Sequence, residues 1–496
     1  MLANLKHTLK HSLIYSLGNL SSKVIGLILL PLYTSYLSIT DYGILAILET
    51  SSQFLVAVIS LRLSTAMMRW WSEAKSQKKK NAIIFTSFTS TFILLLIFNL
   101  AFQPFKNELS YLFFGSDRYI IYFLILFISV SLEILNGITL SVIRLKEKSV
   151  LFVTINIIKL ICSLGLNIYF IVYLKMGVKG IILSLMFGHM LSLIMSLPVL
   201  IKNCNLIFSL NIFKELIKFS FPLSLTTITM LLLTLSDRYI LKYYHDYSNV
   251  GVYSLGYKLA GVINVFILQS FQMGFLPIAY KMYNKPEAKR YFSKVLTYLT
   301  VVLLLSTLFL SLFSKEAIIL FAKSNQNYWE AYMIVPLLCL AYSLKGIEYF
   351  FALGLHYVKK TKYNAIIVLA GSIFSLTLNF LLIPYLKIYG AAITAILSEL
   401  LLVYLYYKIS NKHYPINYEI IKILKLFSIT ILFLVLSYFI QHTNLFARIV
   451  LKLSFIISFP IILYYWNFFE EIELMRIKQA WTKWKNPLKW RENLNK

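Results

Sequence analysis

LIKFSFPLSLTTITMLLLTLSDRYILKYYHDYSNVGVYSLGY, residues 216–257, is the stretch that decides the fold. About 25 residues within it, from Phe219 to Tyr243, are apolar enough to cross a bilayer as one helix. An acid and a base, Asp237 and Arg238, nevertheless sit together two thirds of the way along. A charge at membrane depth costs a few kcal/mol, so it persists where it faces protein or a water-filled cavity. Pro222 removes a backbone donor near the start of the span and bends or unwinds its first turns. A second apolar run opens at Gly251 and carries its own cation, Lys258.

The rest of the chain repeats this theme. Hydrophobic residues make up 59% of the 496, against about 45–50% in soluble domains. Hydropathy predicts about fourteen spans, including a long second one near 42–70 and an eleventh and twelfth divided only by the turn PYLKIYG at 384–390. The short alternating segments of a β-barrel do not occur. The net charge is +28, from 48 Lys and Arg against 20 Asp and Glu. In a soluble protein this would suggest nucleic acid. Here the cations lie in short loops such as SQKKKN (76–81) and KKTK (359–362), and no nucleic-acid partner is expected. With the N-terminus inside, roughly 31 Lys and Arg fall on the inner side and roughly 9 on the outer, so both termini are predicted cytoplasmic. Cys162, Cys204 and Cys339 are scattered, which suggests neither a disulfide framework nor a metal site.

An internal repeat sets the organisation. Ser163-Leu-Gly-Leu-Asn167, then Tyr173-Leu-Lys175 and Gly180, returns about 212 residues later as Ser375-Leu-Thr-Leu-Asn379, then Tyr385-Leu-Lys387 and Gly390. Tyr42-Gly43 opening span two corresponds to Val250-Gly251 opening span eight. Six spans separate the copies, an even number, so both keep one orientation. This predicts an all-α polytopic membrane protein with two parallel six-helix lobes, residues 1–206 and 207–414, and a site at their interface. Residues 415–496 add two spans and a tail. In the tail, Leu474, Ile477, Trp481, Trp484 and Leu488 recur at three- and four-residue spacing among Arg476, Lys478, Lys483 and Lys485. That pattern predicts an amphipathic helix on the inner leaflet, in contact with membrane lipids.

The charges within the spans are few. Lys23, Arg62, Arg69, Lys159, Arg238, Lys258 and Lys345 are the candidate substrate-binding cations. Unpaired cations in a low-dielectric cavity focus a positive potential, and Arg pairs with phosphate oxygens through two parallel bonds. Such a cavity suits a large anion whose lipid tail stays in the bilayer. Each charge also has a packing role open to it. Lys345 and Glu348 lie three apart on one helical face and can neutralise each other. Asp237 and Arg238 point about 100° apart and need not pair.

An apolar span with an early Pro, then Asp237-Arg238-Tyr239, then Val250-Gly251-Val252-Tyr253, resembles the seventh and eighth helices of bacterial polysaccharide flippases. These are lipid-linked oligosaccharide translocases of the multidrug/oligosaccharidyl-lipid/polysaccharide exporter superfamily. Asp41-Tyr42-Gly43-Ile44 and Leu61-Arg62-Leu63-Ser64-Thr65-Ala66 with Arg69 are similar to flippase segments, except that Arg62 stands where the family pattern has glycine. The likeness covers roughly residues 10–410. It implies a V-shaped molecule in the bacterial cytoplasmic membrane that alternates between inward- and outward-open states. The implied cargo is a polyprenyl-diphosphate oligosaccharide, the implied partners a polymerase and other polysaccharide-assembly proteins. No cofactor is implied. Coupling to an H+ or Na+ gradient, or to the membrane potential, would use an acid such as Glu49, Asp237, Glu348 or Glu399, since a carboxyl in low dielectric can hold a proton in the working range.

Other functions compete. A drug or metabolite antiporter of the same superfamily favours acids over cations in its cavity. A peptidoglycan-precursor flippase carries the same lipid diphosphate and stays open. A membrane glycan polymerase or glycosyltransferase is disfavoured by short outer loops without paired carboxylates. No Gly-Lys dipeptide occurs, so a phosphate-cradling ATPase loop is absent and a transporter rather than an enzyme is expected.

Overall fold

The computed structural model describes residues 26, 28–322, 325–358, 360, 362–440, 444–471 and 473–475. Every regular element among them is a helix. In chain order these are α1 (Leu30–Tyr36), α2 (Ile39–Ile59), α3 (Leu63–Glu73), α4 (Gln77–Phe102), α5 (Lys106–Phe114), α6 (Ile120–Leu145), α7 (Ser149–Ile168) and α8 (Gly177–Lys202). There follow α9 (Leu210–Tyr244), α10 (Tyr247–Ala260), α11 (Gln269–Met282), α12 (Ala288–Leu312), α13 (Ser314–Ala322), α14 (Val335–Tyr357), α15 (Lys362–His413), α16 (Ile420–Phe439) and α17 (Leu445–Tyr465).

Among the described residues, twelve helical segments are long and apolar enough to cross a membrane. The 52-residue α15 holds both the eleventh and twelfth predicted spans, joined at Lys387 where φ is 51° and ψ −129°. Most of the first predicted span, with Lys23, lies outside the described residues. The described helices thus account for the second to the fourteenth predicted spans, and the chain is a multi-pass membrane protein. The cationic tail from residue 476 onward also lies outside the described residues.

Two departures from the hydropathy reading matter. The second span is not one helix: it breaks between Ile59 and Leu63, where Leu61 (φ 43°) and Arg62 (φ 55°) both take left-handed backbone. A Cβ disfavours that region by about 1–2 kcal/mol per residue, a cost that a glycine at position 62 would not carry. Near the break, the Ser224 hydroxyl of α9 donates to the Ala57 carbonyl (2.7 Å). The repeat, by contrast, has a structural counterpart: its matched lysines, Lys175 and Lys387, both have φ of 51° at the turn joining two spans.

Helix packing groups the chain into two units, residues 1–284 with 314–415, and residues 285–313 with 416–496. In the second unit, α12 packs with α16 and α17. Lys294 Nζ reaches Glu419 (2.9 Å), Glu470 (2.5 Å) and Glu473 (3.1 Å), and Lys422 also pairs with Glu419 (3.0 Å). Burial pushes the Glu419 carboxyl up, but hydrogen bonds from Lys294, Thr297 and Lys422 outweigh this and hold it below the usual range. The Phe433 and Phe455 rings stack 5.0 Å apart and join α16 to α17.

Candidate functional site

The site lies in the first unit and is built around a helix crossing. Helix α2 starts with a capping box: the Ser38 hydroxyl accepts from the Asp41 amide, and the Asp41 carboxylate accepts from the Ser38 amide. This fixes the register of Tyr42 and Gly43. At Gly43 the backbone of α2 meets that of α10. A Cβ on Gly43 would sit 1.8 Å from the Tyr247 carbonyl oxygen, and one on Gly251 would sit 2.3 Å from the Ile39 carbonyl oxygen. Only glycine allows that approach. Gly43 and Gly251, matched in the sequence repeat, thus meet each other at this crossing.

The crossing determines which side chains meet further along. Glu49 and Lys258 lie six and seven residues beyond their glycines, about 10 Å along each helix. Lys258 Nζ pairs there with Glu49 Oε2 at 2.9 Å and hydrogen-bonds Oε1 at 3.1 Å. Neither side chain is sealed off, with 25% and 34% of the surface exposed. The Lys258 ammonium also lies 5.3 Å from the Tyr42 ring centre.

Both groups open into a cavity of about 230 Å³ that also takes in Lys159, Ser163 and Asn167. Lys159 Nζ is 3.1 Å from His189 Nδ1, and His189 Nε2 is 3.9 Å from Glu133. The Asn167 amide donates to Tyr33 (3.1 Å) and Ser184 (2.9 Å). Lysines from α7 and α10 thus line one cavity, with Glu49 paired to Lys258.

The remaining predicted cations fall elsewhere. Arg238 is buried, pairs with Asp237 at 2.7 Å and lies 4.2 Å over the Tyr257 ring. The Tyr253 hydroxyl donates to the other Asp237 oxygen. Adjacent residues on a helix therefore do pair here, because the long Arg238 side chain folds back onto its neighbour. Lys345 lies 3.7 Å from Glu399, and Glu348 is one turn further along the helix that carries Lys345. Arg69 bonds Glu73 (3.2 Å) at an exposed helix end and covers the Phe219 ring at 4.5 Å. Arg62 is exposed at the break in span two, without an ion pair among the described residues.

The expectation of unpaired cations is therefore corrected for Arg69, Arg238, Lys258 and Lys345, each of which has a carboxylate partner. An isolated buried charge is costly, and in the absence of another anion the protein supplies the counter-ion. The repeat markers gain a role that the sequence reading did not give them. Ser163 and Asn167 line the cavity described above, and their counterparts Ser375 and Asn379 line a second, smaller one beside Asp237. Recurrence of polar residues at equivalent positions of apolar spans was the available signal.

A multi-pass helical bundle with charged cavities in its interior has the form of a membrane transporter. The family model described as "Polysaccharide biosynthesis protein" matches residues 8–283, and the chain belongs to that family. Among solved structures it is similar to the lipid II flippase MurJ in an inward closed conformation, with TM-score 0.73 and 17% identity over 91% of this chain and 99% of that one. It is also similar to a multidrug resistance MATE family transporter of the MOP superfamily. The inward-facing form gives TM-score 0.65 and 14% identity over 83% and 95%, and the outward-facing form 0.61 and 14% over 85% and 96%. At these identities the likeness concerns the fold. No curated protein sequence matches the chain.

Proposed function

We propose that this protein translocates a polyprenyl-diphosphate-linked oligosaccharide from the cytoplasmic to the outer leaflet of a bacterial cytoplasmic membrane. It does so by alternating access and without covalent chemistry, for surface polysaccharide biosynthesis. The observation that carries this reading is the convergence of Lys159 and Lys258 on one cavity, with Glu49 as a partly exposed counter-ion. A diphosphate is a stronger acceptor for an ammonium than one carboxylate, because it offers more charge and more oxygens. It can displace Glu49 and bridge the two lysines. The family assignment supports a glycan cargo.

In the predicted topology the Gly43–Gly251 crossing lies toward the outer face, where close backbone contact bars passage outward. The fold shared with the lipid II flippase favours a second reading, a peptidoglycan precursor, which presents the same diphosphate. Complementation separates the two. Restored surface glycan in a strain lacking this chain, without rescue of a strain lacking its lipid II flippase, supports the first reading. In the first strain, K159A and K258A should each abolish surface glycan while the protein still inserts. Normal glycan with both variants contradicts the proposal.

A further inference from the structure

His189 of α8 is buried, 8% exposed, and stands between two charges. Its Nδ1 is 3.1 Å from Lys159 Nζ of α7, and its Nε2 is 3.9 Å from a carboxylate oxygen of Glu133 on α6. The packing of three helices sets this order. A Cβ on Gly188 would sit 2.0 Å from Ser163 Oγ and 3.5 Å from the Lys159 carbonyl oxygen, so α8 comes close to α7 one residue before His189. On the other side, the Asn136 amide donates to the His189 carbonyl (2.8 Å) and ties α8 to α6. The backbone that carries the ring is therefore held from both sides.

The hydrogen-bond chemistry of the three groups has one consistent arrangement. An ammonium has three donors and no acceptor, so the Nδ1 facing Lys159 is the bare nitrogen. In a neutral ring the proton is then on Nε2, on the side of Glu133. A doubly protonated ring would set N–H against N–H at 3.1 Å. The positive Lys159, the neutral ring and the negative Glu133 thus form a row, in which the acid balances the lysine across the width of an imidazole.

Lys258, the other lysine of the cavity, is neutralised differently. Glu49 touches it at 2.9 Å, so an incoming anion must first take that ammonium from its carboxylate. Among the described residues no carboxylate touches Lys159. One of its donors is engaged by His189, and the rest can serve a ligand in the cavity that Lys159 lines. A lysine held in place has also given up beforehand the rotamer freedom that binding would otherwise remove.

We propose that His189 is a positioning residue for Lys159, with Glu133 as the counter-ion behind it. Lys159 is then the first of the two lysines to take up an anionic headgroup, before Lys258 exchanges Glu49 for it. The role in cargo binding rests on the reading of the cavity given above; the arrangement of the three side chains does not.

Nitrogen NMR of the full-length protein, with isotopically labelled histidine and in lipid nanodiscs, tests the arrangement without any substrate. The chain has seven histidines, and the signal that H189N lacks is that of His189. At neutral pH it should report a neutral ring with the proton on Nε2. Binding of a polyprenyl diphosphate then tests the role. Asn places its carbonyl oxygen where Nδ1 was, so H189N should bind within about threefold of wild type. Gln places its nitrogen where Nε2 was and leaves Lys159 without its acceptor, so H189Q should lose about tenfold. Both variants remove the ring, so a merely structural role would affect them alike. A wild-type ring that is charged, or that carries its proton on Nδ1, overturns the proposal whether or not the variants fold. So does equal binding by H189N and H189Q. The expected tautomer together with undiminished binding in K159A would reject the cargo reading and leave the arrangement standing.

Discussion

Arg62 and Arg238 show how one residue type serves opposite ends at two places. Arg62 sits exposed at a left-handed position, with φ of 55°, where glycine would be free of strain. R62G should therefore raise stability by about 1 kcal/mol, read as a higher thermal midpoint in detergent. If the guanidinium also helps to hold cargo, the same variant loses surface glycan while gaining stability, a combination that simple misfolding does not produce. Arg238 is the reverse case. Removing one partner of a buried ion pair costs about 3–5 kcal/mol, so R238A should lower the yield of folded, monodisperse protein. The double variant D237N/R238M, which removes both charges, should recover much of that yield. Equal yields for wild type and R238A would show that the pair is not a structural requirement. The charges themselves were legible in the sequence, since each interrupts an apolar run. Their partners were not: Glu49 and Lys258 are 209 positions apart, and hydropathy carries no information about which faces meet.

At the scale of elements, the crossing of α2 and α10 carries the argument. Its glycines were visible as a repeat match, yet nothing in the sequence says that matched helices touch at matched residues. G43A and G251A each place a methyl group against a backbone carbonyl that cannot rotate away, so both should force the helices apart and reduce surface glycan. G274A, where a Cβ meets nothing within 4 Å, is the control and should behave as wild type. Wild-type glycan in G43A would mean the crossing is looser than its geometry indicates. Span lengths were read well because about twenty apolar residues are needed to cross a bilayer. The break in the second span was missed because Leu61 and Leu63 keep it apolar through the break. What ends the helix is backbone conformation at Leu61 and Arg62, not polarity.

For the whole molecule, composition and loop charge were enough to give a polytopic helical bundle; of the expected repeat, the structure shows that the matched Lys175 and Lys387 share a left-handed backbone at their turns. The matched Ser and Asn residues then fall on two cavities, one lined by Lys159, Lys258 and Glu49 and one by Asp237, Lys345 and Glu399. The first of them is the place proposed above for an anionic headgroup. That is the central claim, and binding of a polyprenyl diphosphate to the purified full chain, followed by native mass spectrometry, tests it most directly. Loss of a charge-assisted contact is worth about tenfold or more in affinity. The account predicts at least that loss for K159A and for K258A, and tighter binding for E49Q, whose carboxylate no longer competes. Undiminished binding in the K159A/K258A double variant, with E49Q unchanged, would contradict it.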